Sequence, residues 1–426
     1  MLSNSKPARK DFSLLVLGQV VSVLGSSLLR FALSLYALDL TGRADIYATL
    51  FAVSSIPLLL SPLGGAIADR FNRRNLMVIY DLASSAVVGG LMVLLWAGQS
   101  SVILIGVVMV LLGLISALYS PVVMASIPLL VQENKLEQAN GIVSGVQALS
   151  GVAAPVLGGI LYGAVGVEAL IGMSCIVFFL SAIMELFIRI PFVRRASDGH
   201  LVPMLVQDLR AGFTYVVSQS YIRKSMILAA LLNLLLTPLF VVGGPIILRV
   251  TMQSSDTTYG LGMGLIEFAA IVGALLAGLF AGRMRMHTLY RWLLLMAFLI
   301  LPLAISTTPM MLRMGHYPSL VLFLLCASLI ALMMTILSIF VISIVQKQTP
   351  NEQLGKVMAM IMAVSQCAAP AGQLIYGVLF EAFSVSVYIP VLLVGAAMLL
   401  MSVITQRMLH GEKETAQQHE NRAAPL

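Results

Sequence analysis

The sequence predicts an all-α integral membrane protein of about twelve transmembrane helices, built as two pseudo-symmetric six-helix bundles. Three observations carry that expectation. Of the 426 residues, 59% are hydrophobic and 10% charged, too little polar surface to cover a soluble body of this length. The apolar residues gather into long runs, most of them at or beyond the roughly 20 residues that ~30 Å of hydrocarbon demands of a helix. Short strings of the first half return in the second: Ala153-Ala154-Pro155 as Ala368-Ala369-Pro370, and Leu161-Tyr162-Gly163 as Ile375-Tyr376-Gly377, at offsets of 215 and 214.

In chain order the runs fall at 13–38, 46–68, 75–97, 101–130, 139–164, 167–190, 222–250, 257–281, 288–308, 316–346, 353–382 and 385–408. Helices are expected for all of them, because only a helix pairs every backbone group within one lipid-exposed segment. Several exceed one bilayer and are expected to tilt or to extend beyond it. The basic residues Lys6, Arg9 and Lys10 lead directly into the first run. It reads as a retained helix, since no small-residue cleavage site with a soluble domain comes after it. The connection 191–221 is exceptional, with Arg194, Arg195, Asp198, His200, Asp208 and Arg210. Leu205, Leu209, Phe213 and Val216 recur in it at helical spacing, which predicts an amphipathic helix on the membrane surface. The expected organisation is therefore a bundle over 1–190, a cytoplasmic linker over 191–221, a second bundle over 222–408 and a polar, disordered tail over 409–426.

The net charge of +7 does not imply a nucleic-acid partner, because the basic residues lie in short loops between apolar runs. They set orientation instead. With the N-terminus cytoplasmic, 21 of the 25 Lys and Arg fall on the cytoplasmic side; Arg43, Arg249 and Arg313 fall outside and Arg30 within the first span. Both termini are thus expected to be cytoplasmic. Cys175, Cys326 and Cys367 all lie in apolar runs and make no CxxC, so neither disulfide nor metal site is expected. No G-x-x-x-x-G-K-[ST] loop and no H-E-x-x-H occurs, so no nucleotide cofactor, no metal and no catalytic constellation is expected.

Polar groups within the spans are costly and mark function. Glu267, in the eighth run, is the preferred carrier of a proton, the other reading being a structural partner of an Arg. Arg30 either binds an anionic group or neutralises a carboxylate. Asp81 is expected to join a cytoplasmic charge network with Arg70 or Arg73, and Glu185 to pair with Arg189 one turn on. Asn233, Gln147, Gln366 and Gln373 are candidates to line a cavity, each weighed against an ordinary interhelical hydrogen bond.

The most specific string is Gly65-Ala66-Ile67-Ala68-Asp69-Arg70-Phe71-Asn72-Arg73-Arg74-Asn75-Leu76-Met77. It resembles the G-x-L-A-D-R-x-G-R-K-x-x-L signature of the major facilitator superfamily, with Asn72 in place of a glycine, a residue that tolerates positive φ. Gly64 and Gly65 suit close helix packing. Asp69 suits a helix N-terminus and an Arg partner. The resemblance implies an inner latch of Gly65, Asp69, Arg70, Arg73, Arg74 and Asp81 that releases as two halves rock. The alternative is that the arginines set topology alone. The corresponding place in the second half, Gly278 to Arg283, has Gly282 where Asp69 would stand, so the latch is expected on one half only.

Gly141, Ser150, Ala154, Pro155, Gly158 and Gly159 fall on the spacing of the antiporter signature g-x8-G-x3-G-P-x2-G-G, with two glycines replaced. That resemblance implies export. Gly25 to Leu33, Asp39-Leu40-Thr41-Gly42, Asp81 after Ile79-Tyr80, and Asp208 to Phe213 are similar to the macrolide-efflux and enterobactin-exporter branch, over nearly the whole chain. The resemblance implies a monomeric, secondary-active exporter in a bacterial inner membrane, exchanging protons for drugs or small amphipathic metabolites. The alternatives are a siderophore or lipid-type exporter of the same fold and a non-transporting receptor or enzyme.

Overall fold

A computed structural model describes residues 6–132, 136–191, 210, 213–281 and 284–423; of some residues within these ranges, Asp69 and Gln366 among them, no side chain is described. Among the described residues the chain is helical throughout, without strands. The chain is a multi-pass membrane protein: nine described helices are long and apolar enough to cross a bilayer, and Ala44–Leu60 adds a shorter apolar helix.

In the first half, α1 (Lys6–Thr41) is followed by α2 (Ala44–Ser55), a 3-10 turn (Ile56–Leu60) and α3 (Ser61–Arg70), then α4 (Arg73–Trp96), α5 (Val102–Leu130) and α6 (Leu136–Leu186). The 3-10 turn holds Pro57 at its start, where a missing N–H is tolerated and the helix bends rather than breaks. Helix α6 is two spans in one. Gly166 interrupts it at φ 79, ψ 174, a left-handed conformation that a Cβ would disfavour. The two arms, 136–165 and 167–186, match the fifth and sixth predicted runs.

In the second half, α7 (Ser220–Leu235) runs into two π-helical turns, Leu239–Gly243 and Ile246–Thr251, preceded by Pro238 and Pro245. Each proline removes a ladder donor, and the wider turns re-pair the freed carbonyls. Next come α8 (Asp256–Ala281), α9 (Leu289–Ser306), α10 (Pro309–Met314), α11 (His316–Gln348), α12 (Asn351–Ala382) and α13 (Tyr388–Ala423). With α6 counted as two and α2 to α3 as one, the order is consistent with twelve spans. Helix α13 continues through the tail expected to be disordered, because its Ala, Glu, Gln and Lys are strong helix formers propagating a helix already begun.

The chain divides into two compact units, 1–207 with 255–264, and 208–254 with 265–426. The first holds two apolar cores, one around Leu15, Met77, Val123 and Ile188, the other around Leu29, Leu33, Val88, Met109 and Phe178. The second holds a core around Met226, Val345, Val357 and Ile361, into which Val216 is fully buried. Most of the predicted surface helix lies outside the described residues. Its described end, 213–218, is helical but puts Val216 into that core rather than along a membrane surface.

The internal repeat is expressed as packing. Tyr162, on the first arm of α6, donates a 3.0 Å hydrogen bond to Asp39 Oδ2 at the end of α1. Its counterpart Tyr376 on α12 donates to the carbonyl of Leu235 at the end of α7. Gly158 lies against the Phe31 ring of α1, and Gly372 against the backbone of Leu234 on α7.

Candidate functional site: a polar cavity in the N-terminal unit

Helix α1 carries a stripe at 3.6-residue spacing, Gln19, Ser22, Ser26 and Arg30, on one side of an otherwise apolar span. The same face returns on α5 as Met109, Gly113, Ser116 and Ser120. These faces, with Asp81 and Ser84 on α4 and Gln147 and Phe178 on α6, enclose a cavity of about 240 Å³.

At one end of it the polar groups are buried and interlocked. Ser22 Oγ donates to Asp81 Oδ1 at 2.9 Å, and Tyr119 OH donates to Glu185 Oε1 at 2.7 Å. Asp81 is 2% exposed and Glu185 1%, and the two lie within electrostatic reach of each other. Ser181, beside Glu185 on α6, donates to the carbonyl of Gly18. Three acceptors here have no hydrogen-bond partner among the described residues: Gln19 Oε1, Asp81 Oδ2 and Glu185 Oε2. No described cation sits within ion-pair distance of either carboxylate, the one described ion pair being Arg43–Asp45.

This corrects two expectations. Asp81 does not join Arg70 or Arg73, because its place on α4 turns it inward to α1. Arg73 instead donates from Nε to the carbonyl of Ala68 and from Nη1 to that of Ala125, tying α3 to α5. Glu185 does not pair with Arg189, because α6 ends at Leu186 and the helical register is lost; Arg189 meets Asp11 through its backbone N–H.

Around the proposed latch, the side chain of Asp69 lies outside the described residues. Arg74 bonds to neighbouring Asn75. Asn72 is not in a positive-φ turn: at φ −64 its side chain caps α4 by accepting from the N–H of Arg74. Gly64 does sit at a close approach, where a Cβ would lie 2.8 Å from the Leu118 carbonyl oxygen, but Gly65 faces open space. The antiporter-type stripe also divides. A Cβ on Gly159 would overlap the Asp256 carbonyl oxygen and lie 2.8 Å from Gly260 Cα, and one on Gly260 would overlap the Pro155 carbonyl oxygen, whereas Gly141 meets nothing. Pro155, Gly158 and Gly159 thus hold α6 against α1 and the first turns of α8.

Of the remaining sequence candidates, Arg30 and Gln147 line the cavity. Arg30 neutralises no described carboxylate; its guanidinium stacks over Phe51 at 5.6 Å. Glu267 belongs to the second unit, is exposed, and pairs with no described Arg. Asn233 bonds the Ala229 carbonyl and Thr237 within its own helix. Gln373 is buried with an unpartnered Oε1, while the Gln366 side chain lies outside the described residues. Sequence reading passed over Gln19, Ser22 and Tyr119. The period of Gln19, Ser22, Ser26 and Arg30 was the signal available for the first two.

Comparison with known proteins gives this geometry a family. A family model described as transmembrane secretion effector matches residues 3–425. Macrolide efflux protein A of Streptococcus pyogenes is 24% identical over 377 residues, covering 85% of this chain and 87% of that protein. The enterobactin exporter EntS of Salmonella typhi is 24% identical over 298 residues, covering 69% and 67%. Among solved structures, a bacterial homolog of the human lysosomal transporter Spinster superposes with a TM-score of 0.72 at 16% identity, covering 96% and 98%. The POT family transporter PepTSo gives 0.73 at 11% identity, covering 96% and 99%. At such identities these two show the fold alone.

Proposed function

Because the chain belongs to the transmembrane secretion effector family of major facilitator transporters, we propose that it is a proton-coupled exporter of drugs or small amphipathic metabolites, working by alternating access. Export is supported by the activities named for the macrolide and enterobactin relatives and by the glycine and proline contact of α6.

The observation that carries proton coupling is the buried acid pair. Tyr119 donates to Glu185 and Ser22 to Asp81, and each acid keeps one oxygen without a hydrogen-bond partner among the described residues. Carboxylates at membrane depth with no cation beside them are costly. A proton taken up by either acid removes its repulsion of the other and supplies a donor; its departure restores both costs. Asp81 lines the cavity, and Glu185 stands behind Tyr119, which lines it too, so proton occupancy of the pair and substrate occupancy act on adjoining space. Presenting the two alternately to opposite sides is antiport. Glu267 lacks this setting, and the role passes to Asp81 and Glu185.

The cell setting we assign is a bacterial cytoplasmic membrane, with both termini inside and the chain acting as a monomer, powered by the ion gradient without nucleotide or other cofactor. The distribution of Lys and Arg supports that orientation. The test is efflux from membrane vesicles under an imposed pH gradient, screened over a compound panel. Saturable, gradient-driven efflux is expected. Efflux indifferent to the gradient would remove the coupling, and inward-only movement would remove the direction.

A further inference from the structure

Arg30 offers a cation to the cavity with no described anion to meet it. It lies far inside α1, is exposed to the cavity, and donates no hydrogen bond to any described residue. A guanidinium at membrane depth is retained where something offsets its desolvation. The face of Phe51, 5.6 Å away, offsets part of it by cation–π attraction but satisfies none of the five N–H donors.

The neighbours of Arg30 fit a ligand. Ser27 stands one turn back on α1, Ser84 on α4, and Ser116 and Ser120 one turn apart on α5, all lining the same cavity. None of these hydroxyls has a described hydrogen-bond partner. The apolar wall is Leu33, Met109, Leu112 and Phe178. Asp81, tied to Ser22, lies eight residues down α1 from Arg30, roughly 12 Å at 1.5 Å per residue, so the cavity is polarised with its cationic end at Arg30. Its volume of about 240 Å³ is below the ~300–1,000 Å³ that encloses a drug-sized molecule, and suits the head group of a larger one.

We infer that this cavity is a head-group subsite for carboxylate-headed amphipathic anions. The planar guanidinium fork matches a carboxylate with two parallel hydrogen bonds. The four serine hydroxyls receive neutral oxygens of the substrate, and its apolar body lies along Leu112 and Phe178. This assignment rests on the transport reading and narrows its substrate class.

The experiment uses the full chain in lipid nanodiscs and three probes on one ring system: 2-naphthoate as anion, 2-naphthol as neutral compound and 2-naphthylmethylammonium as cation. Equilibrium binding is measured at neutral pH. The wild-type protein is expected to bind naphthoate at least tenfold tighter than either other probe. Arg30→Gln removes that preference, and Arg30→Lys keeps part of it, having charge without the fork. Ser116→Ala with Ser120→Ala leaves the preference for the anion intact while weakening oxygen-rich anions such as 3,5-dihydroxy-2-naphthoate. Absence of naphthoate binding, preference for the cation, or an anion preference unchanged in a folded Arg30→Gln protein would overturn the proposal. Vesicle transport separates the two readings: naphthoate taken up rather than extruded, with its Arg30 dependence intact, defeats export alone, whereas gradient-driven extrusion of the cation alone defeats the anion subsite alone.

Discussion

Tyr119 donates a 2.7 Å hydrogen bond to Glu185 Oε1, joining α5 to the second arm of α6 where Glu185 is 1% exposed. It is the described donor to that carboxylate, whose other oxygen has none. Tyr119→Phe therefore leaves both oxygens without a donor at almost unchanged volume. A loss of about 1–3 kcal/mol is expected for a buried polar group deprived of its partner. Thermal unfolding in detergent should show a lower midpoint, and the pH dependence of transport should move. An unchanged midpoint and pH profile would show that the bond carries nothing.

The acid pair makes a sharper contrast. Asp81→Asn and Glu185→Gln should each abolish coupling to a pH gradient while leaving facilitated movement of substrate down its own gradient. Glu267→Gln should retain coupling. Vesicle efflux measured with and without an acidic exterior separates these outcomes. Retained coupling in both acid-pair variants, with loss in Glu267→Gln, would return the proton to the second unit.

The crossing of α6 and α8 admits no Cβ at two points, since one at Gly159 would overlap the Asp256 carbonyl oxygen and one at Gly260 the Pro155 carbonyl oxygen. Gly159→Val and Gly260→Val must push the helices apart, because the obstacles are backbone. Transport should fall at least tenfold in either. Gly141→Ala, which meets nothing within 4 Å, should transport normally. Efflux rates normalised to membrane-inserted protein check the contrast.

Arg73 and Arg74 are adjacent and differ in what they hold. Arg73 satisfies the Ala68 and Ala125 carbonyls from two nitrogens of one fork, whereas among the described residues the Arg74 side chain reaches Asn75 alone. Arg73→Ala should cost about 1–3 kcal/mol and slow transport, and Arg73→Lys should not restore it, since a point charge lacks the fork. Arg74→Ala should be near neutral. Melting curves and initial transport rates of the three variants suffice.

Much of the architecture was legible because it depends on local composition. Run length marks a span whatever packs against it, and the order of runs carried through to the helices. The repeat read from Tyr162 and Tyr376 reappears as two tyrosines each bonded to the first span of its own half. Pro155, Gly158 and Gly159 were legible as close-packing positions, because a missing side chain matters only where another helix approaches. The same rule misjudged Gly65 and Gly141, which no described atom approaches within 4 Å.

By itself, then, the sequence determined the apolar spans and the helix faces, which depend on residue type and a 3.6-residue period, while the Gly65–Met77 string carried the resemblance to the superfamily and the repeated strings the expectation of two halves. Tertiary structure alone decided the partners of the buried charges. Ser22 meets Asp81 across 59 residues and Tyr119 meets Glu185 across 66, and periodicity states which residues share a face but not which helix that face meets. Along the chain Glu185 lies four residues from Arg189, and Asp81 lies seven residues, about two helical turns, from Arg74. The rotation of α4 and the end of α6 turned both carboxylates inward, away from every described cation, where an unpaired charge is costly.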